Sequence, residues 1–163
     1  LVQRVVTVTG KSIKDTKNLL TRFGTPVSAL IEKCGGLPEG DNRVLNGGPM
    51  MGRPMSNLQS PVMKGCSGIT VISGKEALRG EPSACIKCAK CIEACPMGLE
   101  PYLLSKLTQN GDFEELERHY IADCIECGCC TFSCPSYLPL LDWVRIGKAE
   151  VMKRMRERAA AKK

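Results

Sequence analysis

The segment C-I-K-C-A-K-C-I-E-A-C-P, Cys85 to Pro96, returns as C-I-E-C-G-C-C-T-F-S-C-P, Cys124 to Pro135. Together the two copies hold nine of the chain's eleven cysteines. Each obeys C-x2-C-x2-C-x3-C-P, the run that wraps a cubane iron–sulfur cluster. Two residues between ligands let a tight backbone loop aim three thiolates at three corners of one cube. The fourth cysteine lies on the helical turn that follows and points away from that cube; in two-cluster proteins it completes the other cluster. The spacing therefore predicts two [4Fe-4S] clusters, one on Cys85, Cys88, Cys91 and Cys134, the other on Cys124, Cys127, Cys130 and Cys95. Such an exchange staples the loops together and brings the clusters within electron-tunnelling reach.

Zinc and disulfides are the plainer readings. A tetrahedral zinc ion needs four ligands, so a third cysteine at the same interval plus a Cys-Pro, twice over, is surplus to zinc. A disulfide framework suits a small secreted chain, and nothing in this sequence reads as secreted. Cys129 breaks the count, because it sits next to Cys130. Using it as a ligand leaves C-x-C spacing, so Cys130 is the better ligand and Cys129 a packing or hydrogen-bonding neighbour of the cluster.

A chain of 163 residues has room for one domain or two small ones. Aromatic residues make up only 4 % of it, a scarcity that metal–thiolate bonds can offset by replacing part of a core. No apolar run approaches the roughly 20 residues needed to span a bilayer, and no charged-then-apolar leader is evident. So many thiols kept for metal predict a reducing compartment. The sequence opens without Met inside a strand-like run, and we expect a longer parent protein. The net charge of +6 is localised: Trp143 to Lys163 carries eight Lys or Arg against two Glu, and the preceding residues hold fifteen of each sign.

Leu1 to Thr9 alternates β-branched residues and reads as a strand ending at Gly10; Asn18 to Phe23 reads as a second. Thr25-Pro26 predicts a helix start with a hydroxyl cap. Val27, Leu30, Ile31 and Cys34 then share one apolar face, which makes Cys34 a core residue, and Gly35-Gly36 ends the helix. Arg43 to Leu45 and Gly68 to Ser73 read as further strands, and Cys66 as a small buried residue. This order predicts an α+β unit of β-grasp-like form. Between its last strands, Gly47, Gly48, Pro49, Met50, Met51 and Gly52 form a loop with an unusual backbone path. It is either a place of close approach to a partner domain or an ordinary tight turn.

Gly80 to Ser83 reads as a linker. Leu99 to Gln109 predicts a helix with Leu99, Leu103, Leu104 and Leu107 on one face, ended by Asn110-Gly111. Asp112 caps a second helix carrying Phe113, Leu116, Tyr120 and Ile121. Helices between the motifs argue for an all-helical two-cluster, ferredoxin-like domain. His119, the single histidine, reads as solvated. A last helix is expected from near Leu138-Pro139, with Leu141, Val144, Lys148, Val151/Met152, Met155 and Ala159 along one stripe. It is either docked with a solvated basic end, or a segment meeting an anionic membrane or acidic partner. Nucleic acid is not expected, since the charge comes without aromatics or a recognised motif. The expected division is 1–80, 81–142 and a basic helix or tail at 143–163.

The combination resembles the C subunit of the Rnf electron transport complex. The cues are G-T-P-V-S-A-L-I-E-K-C-G-G (Gly24 to Gly36), G-G-P-M-M-G (Gly47 to Gly52) and the two cubane motifs, in the family's order. The resemblance implies that the first module is an SLBB (soluble-ligand-binding β-grasp) domain. It also implies a peripheral location on the cytoplasmic side of the cell membrane, in an assembly that couples electron flow between NADH and ferredoxin to Na+ or H+ transport. The partners would be the other subunits of that complex and the NADH- and FMN-binding domain of the same full-length subunit. No flavin or NADH residue of the family matches here, so the chain is expected to pass single electrons and not itself to oxidise NADH. Two other readings stand beside it. One is an iron–sulfur subunit of a soluble dehydrogenase or heterodisulfide-reductase-like enzyme; the other is a module binding cobalamin or a glycan.

Overall fold

Along the first strand Val6 and Val8 are buried and their neighbours exposed, the period-two pattern of a strand with one face on a core. This run forms β1 (Gln3–Thr9), in a computed structural model that describes residues 1–77 and 80–161. β2 (Lys17–Arg22) pairs with it antiparallel. The helix α1 (Val27–Glu32) follows, then β3 (Asn42–Asn46), the two-residue β4 (Arg53–Pro54) and β5 (Gly68–Ser73). The mixed sheet has the order β2-β1-β5-β3-β4, with β1 and β5 parallel and the other pairs antiparallel. Val27, Leu30, Ile31 and Cys34 close one face of it, in a core with Val6, Val8, Val44, Ile69 and Val71. Cys66 is buried in that core, and burial pushes its thiol up. Both cysteines are packing residues of an apolar interior.

The start of α1 differs from the expectation. Thr25 does not cap it: its N–H donates to the Arg22 carbonyl and its own carbonyl accepts the Val62 N–H. Pro26 takes the cap position and bridges to Pro61, with no side-chain hydrogen bond. Tertiary backbone pairing has claimed a residue that local rules assign to the helix. β4 escaped the sequence reading because two residues carry no periodicity.

Gly47 to Gly52 forms the turn between β3 and β4. The Gly52 N–H donates to the Gly48 carbonyl at 2.7 Å, and a Cβ on Gly52 would lie 2.4 Å from that oxygen. Gly47 adopts φ +115°, donates its N–H to Gly68 and accepts a hydrogen bond from the Thr70 hydroxyl. The glycines are thus already required by the turn itself.

The chain divides into two compact units, Leu1–Arg79 and Gly80–Lys163. The described elements of the second are helices: α2 (Lys90–Glu93), α3 (Pro101–Asn110), α4 (Phe113–Arg118), α5 (Cys129–Phe132) and α6 (Leu140–Ala161). Gly80 to Ser83 is held on this unit. A Cβ on Gly80 would lie 2.6 Å from the Tyr137 ring, and the Ser83 N–H donates to the Ser136 carbonyl.

The helix faces depart from the expected stripes. On α3 the buried residues are Pro101, Leu104, Ser105 and Thr108, while Leu103 and Leu107 are only partly covered. The reason is α6, which brings Gly147 against that surface: a Cβ there would meet the Thr108 hydroxyl at 2.2 Å and the tips of Ile121 and Leu116 at 3.0 Å. Thr108 can be buried because its hydroxyl donates to the Leu104 carbonyl. α4 ends at Arg118, and Tyr120 is exposed in a left-handed conformation, so that Leu116 and Ile121 point inward and Tyr120 does not. Asp112 precedes α4 without a side-chain capping bond.

α6 buries Leu140, Leu141, Val144, Gly147 and Val151. Met155 and Ala159 lie outside that face, so the apolar stripe stops at Val151. Beyond it, cations hold the helix. Arg154 stacks 4.4 Å over the Phe113 ring and Arg158 pairs with Glu117. Lys162 and Lys163 of the expected tail lie outside the described residues. Among the described residues no helix is long and apolar enough to cross a membrane.

Helix propensity favours Ala over Gly at position 147 by about 1 kcal/mol, whereas the packing forbids a larger side chain. Gly147→Val is therefore expected to destabilise the protein by about 1–3 kcal/mol. Denaturant unfolding of the second unit would show it, and unchanged stability would contradict the close approach.

Candidate metal centre

The two cysteine motifs repeat at an offset of 39 residues, and the backbone repeats with them. Lys87 and Glu126 both stand at positive φ (55° and 56°), and each donates its N–H to the thiol two residues earlier, Cys85 or Cys124, at 3.4 Å. Ala89 and Gly128 are left-handed and start the short helices α2 and α5. Gly98 and Tyr137 are also left-handed, with N–H bonds to the Cys95 and Cys134 carbonyls. A left-handed conformation at Lys87, Ala89, Glu126 and Tyr137 costs on the order of 1–3 kcal/mol each, and such residues collect where function requires the backbone path. Here the path turns N–H groups toward sulfur.

The cysteines surround two hollows. One is lined by Cys85, Cys88, Cys91 and Cys134, with Ile86, Tyr102, Leu138 and Leu140 among its walls. The other is lined by Cys95, Cys124, Cys127 and Cys130, walled by Leu99, Leu104, Leu141 and Val144. Three thiols of each come from one loop and the fourth from the other. Among the described residues no three Cys, His, Asp or Glu side chains converge as a single-ion site would require. Four thiols around an apolar void fit a body with several metal atoms at its corners, and the donor set is the soft thiolate one that iron–sulfur clusters take.

Burial pushes the Cys91, Cys124 and Cys130 thiols up, Cys130 to about 11. For Cys124 the Glu126 N–H and the Lys148 ammonium pull the other way. As free thiols these groups hold their protons at neutral pH, so binding metal must displace them. Cys91 feels Cys134, and Cys124 feels Cys95, each across the two loops. Cys88 is the exposed one of the eight. Cys129 does not line either hollow; a hydrogen bond with Cys127 pushes its thiol up. His119 is half-exposed, with Nδ1 4.0 Å from a Glu100 carboxylate oxygen.

Sequence reasoning missed the residues that α6 contributes. Lys148 Nζ donates to the Cys124 carbonyl, and Arg145 donates to Glu126 at 3.0 Å. The available signal was a lysine inside an otherwise apolar stripe.

Comparison with known proteins gives the SLBB domain family over residues 5–54 and the 4Fe-4S dicluster domain family over 84–139. The chain therefore combines an SLBB domain with a 4Fe-4S dicluster domain that follows it. It belongs to the C-subunit family of the ion-translocating (Rnf) oxidoreductase complexes. It is 44 % identical over 120 residues to the C subunit of the proton-translocating ferredoxin:NAD(+) oxidoreductase complex of Clostridium ljungdahlii, covering 74 % of this chain and 26 % of that protein. It is 36 % identical over 157 residues to the C subunit of the Na(+)-translocating ferredoxin:NAD(+) oxidoreductase complex of Acetobacterium woodii, covering 96 % and 35 %. The C subunit of the ion-translocating oxidoreductase complex of Rhodobacter capsulatus is 43 % identical over 114 residues, covering 70 % and 22 %. The chain spans about a fifth to a third of the length of these relatives.

The register of the second loop is open to direct assay. Anaerobically prepared Cys130→Ser is expected to lose about half its iron while Cys129→Ser keeps it, measured as iron per chain. The reverse result would move the ligand to Cys129.

Proposed function

We propose that the chain is a two-centre electron relay: Cys85, Cys88, Cys91 and Cys134 hold one [4Fe-4S] cluster, and Cys124, Cys127, Cys130 and Cys95 the other. The observation that carries this is the composition of the two hollows, each ringed by three thiols of one loop and one of its neighbour. The clusters supply one-electron redox chemistry. The chain's own residues do the rest. The loops aim the thiols, the Lys87 and Glu126 N–H groups donate to sulfur, and Leu99, Leu104, Leu141 and Val144 keep water from one centre. Single electrons enter at one centre and leave at the other, with no atom transferred.

In this reading residues 1–80 form the β-grasp-like SLBB domain, 81–142 the helical two-cluster domain, and 143–163 a basic C-terminal helix or tail. The protein works as a peripheral part of a membrane complex on the cytoplasmic side. It passes electrons between an NADH- and FMN-binding domain of the same full-length subunit and the ferredoxin-side subunits, in step with Na+ or H+ transport. The activities for which the relatives are named support this, as does the continuous match across both domains. The Gly47–Gly52 turn, with Met50 and Met51 at the surface, is the place on the SLBB domain where a neighbouring domain would approach.

Oxygen-free protein should contain about eight iron and eight sulfide per chain. Cys95→Ser decides the exchange. Its EPR spectrum after reduction is expected to match that of Cys127→Ser and not that of Cys88→Ser. A match to Cys88→Ser would mean that each loop closes on its own centre.

A further inference from the structure

The two loops are alike in backbone and unlike in charge. Where the first has Lys87 the second has Glu126, and the surroundings differ more. Lys87 and Lys90 of the first loop are exposed, so water and salt screen their fields. Glu126 of the second is paired with Arg145 at 3.0 Å, and the two side chains are only 29 % and 20 % exposed. That pair largely cancels the negative charge nearest the loop. Asp123, next to Cys124 in the chain, is exposed, so its charge is screened like those of the first loop's lysines; the partly buried charge that remains is Lys148. It lies one helical turn after Val144, whose side chain walls the second hollow, and next to buried Gly147. Its stem is partly buried, and its Nζ donates to the carbonyl of Cys124, a residue lining that hollow.

We propose that Lys148 is a positioning and tuning residue for the second centre: its ammonium anchors the Cys124 backbone and raises the reduction potential of the cluster held there. The physical reason is charge. Reduction by a one-electron donor adds one unit of negative charge to the centre, with no bond made or broken and no proton moved. A fixed positive charge a few bonds from one ligand, in a partly dry setting, stabilises the reduced form more than the oxidised one. The first centre has no such partner among the described contacts of α6, so the effect falls on one of two otherwise similar clusters. In a relay this makes the second centre the preferred resting place of the electron.

The inference rests on the ligand assignment proposed above, and the test separates the two. The iron-loaded full chain, its Lys148→Met variant and its charge-conserving Lys148→Arg variant are titrated with dithionite under EPR, each also in a Cys88→Ser background that isolates the second centre. Lys148→Met is expected to move the midpoint of the second centre to a more negative potential and leave the first in place, and Lys148→Arg to restore it. Equal movement of both midpoints, or none, overturns the inference. So does loss of the second centre in Lys148→Met with retention in Lys148→Arg, which would make the charge a requirement for assembly and not a tuner. Wild-type protein lacking the second centre would instead overturn the ligand assignment itself.

Discussion

Neither cysteine loop completes a ring of four thiols by itself. Each hollow takes its fourth cysteine from the turn after the other loop, and the second unit is arranged around that exchange. Cys95 and Cys134 must sit at the ends of α2 and α5, and those two short helices must lie side by side. The Ser133 hydroxyl donates to the Lys90 carbonyl across them. The apolar core behind is small, with Leu99, Leu104, Leu116, Ile121, Val144 and Val151 at its centre. Against it stand several left-handed non-glycine residues in the loops, each carrying a conformational cost. Metal–thiolate bonds are the natural offset, because a site that does not exist in the unfolded chain converts binding energy into folding energy.

Within that frame the two centres are not equivalent. The 39-residue repeat makes their loops alike, and a single long helix makes them different. α6 covers the second hollow with Leu141 and Val144 and sets Lys148 and Arg145 against its loop. The first keeps the exposed Cys88, flanked by exposed Lys87 and Lys90. The basic end of the same helix is exposed from Lys153 on, with Arg154 over the Phe113 ring and Arg158 beside Glu117 of α4.

The first unit follows a separate logic. Its sheet is organised by β-branched strands and one four-residue apolar face on and just after α1, and its cysteines are core residues. The glycines of the Gly47–Gly52 turn answer a local steric demand, the approach of Gly52 to the Gly48 carbonyl.

Much of this was legible in the residues alone, and for a clear reason. Cysteine spacing, β-branched alternation and the Val27, Leu30, Ile31 and Cys34 face are short-range patterns whose period is set by covalent geometry, so β1, β2, α1, β3 and β5 and the two repeated cysteine loops could be read directly. What was misread depended on neighbours remote in sequence. Thr25 is claimed by Val62, and the buried face of α3 is turned toward Ser105 and Thr108 by the backbone of Gly147. Lys148 belongs to the same class. Its position in the chain marks it as an oddity in an apolar stripe, and only the docking of α6 brings its charge to the Cys124 carbonyl, because contact between residues 24 apart is a property of the packed helices and of no local pattern.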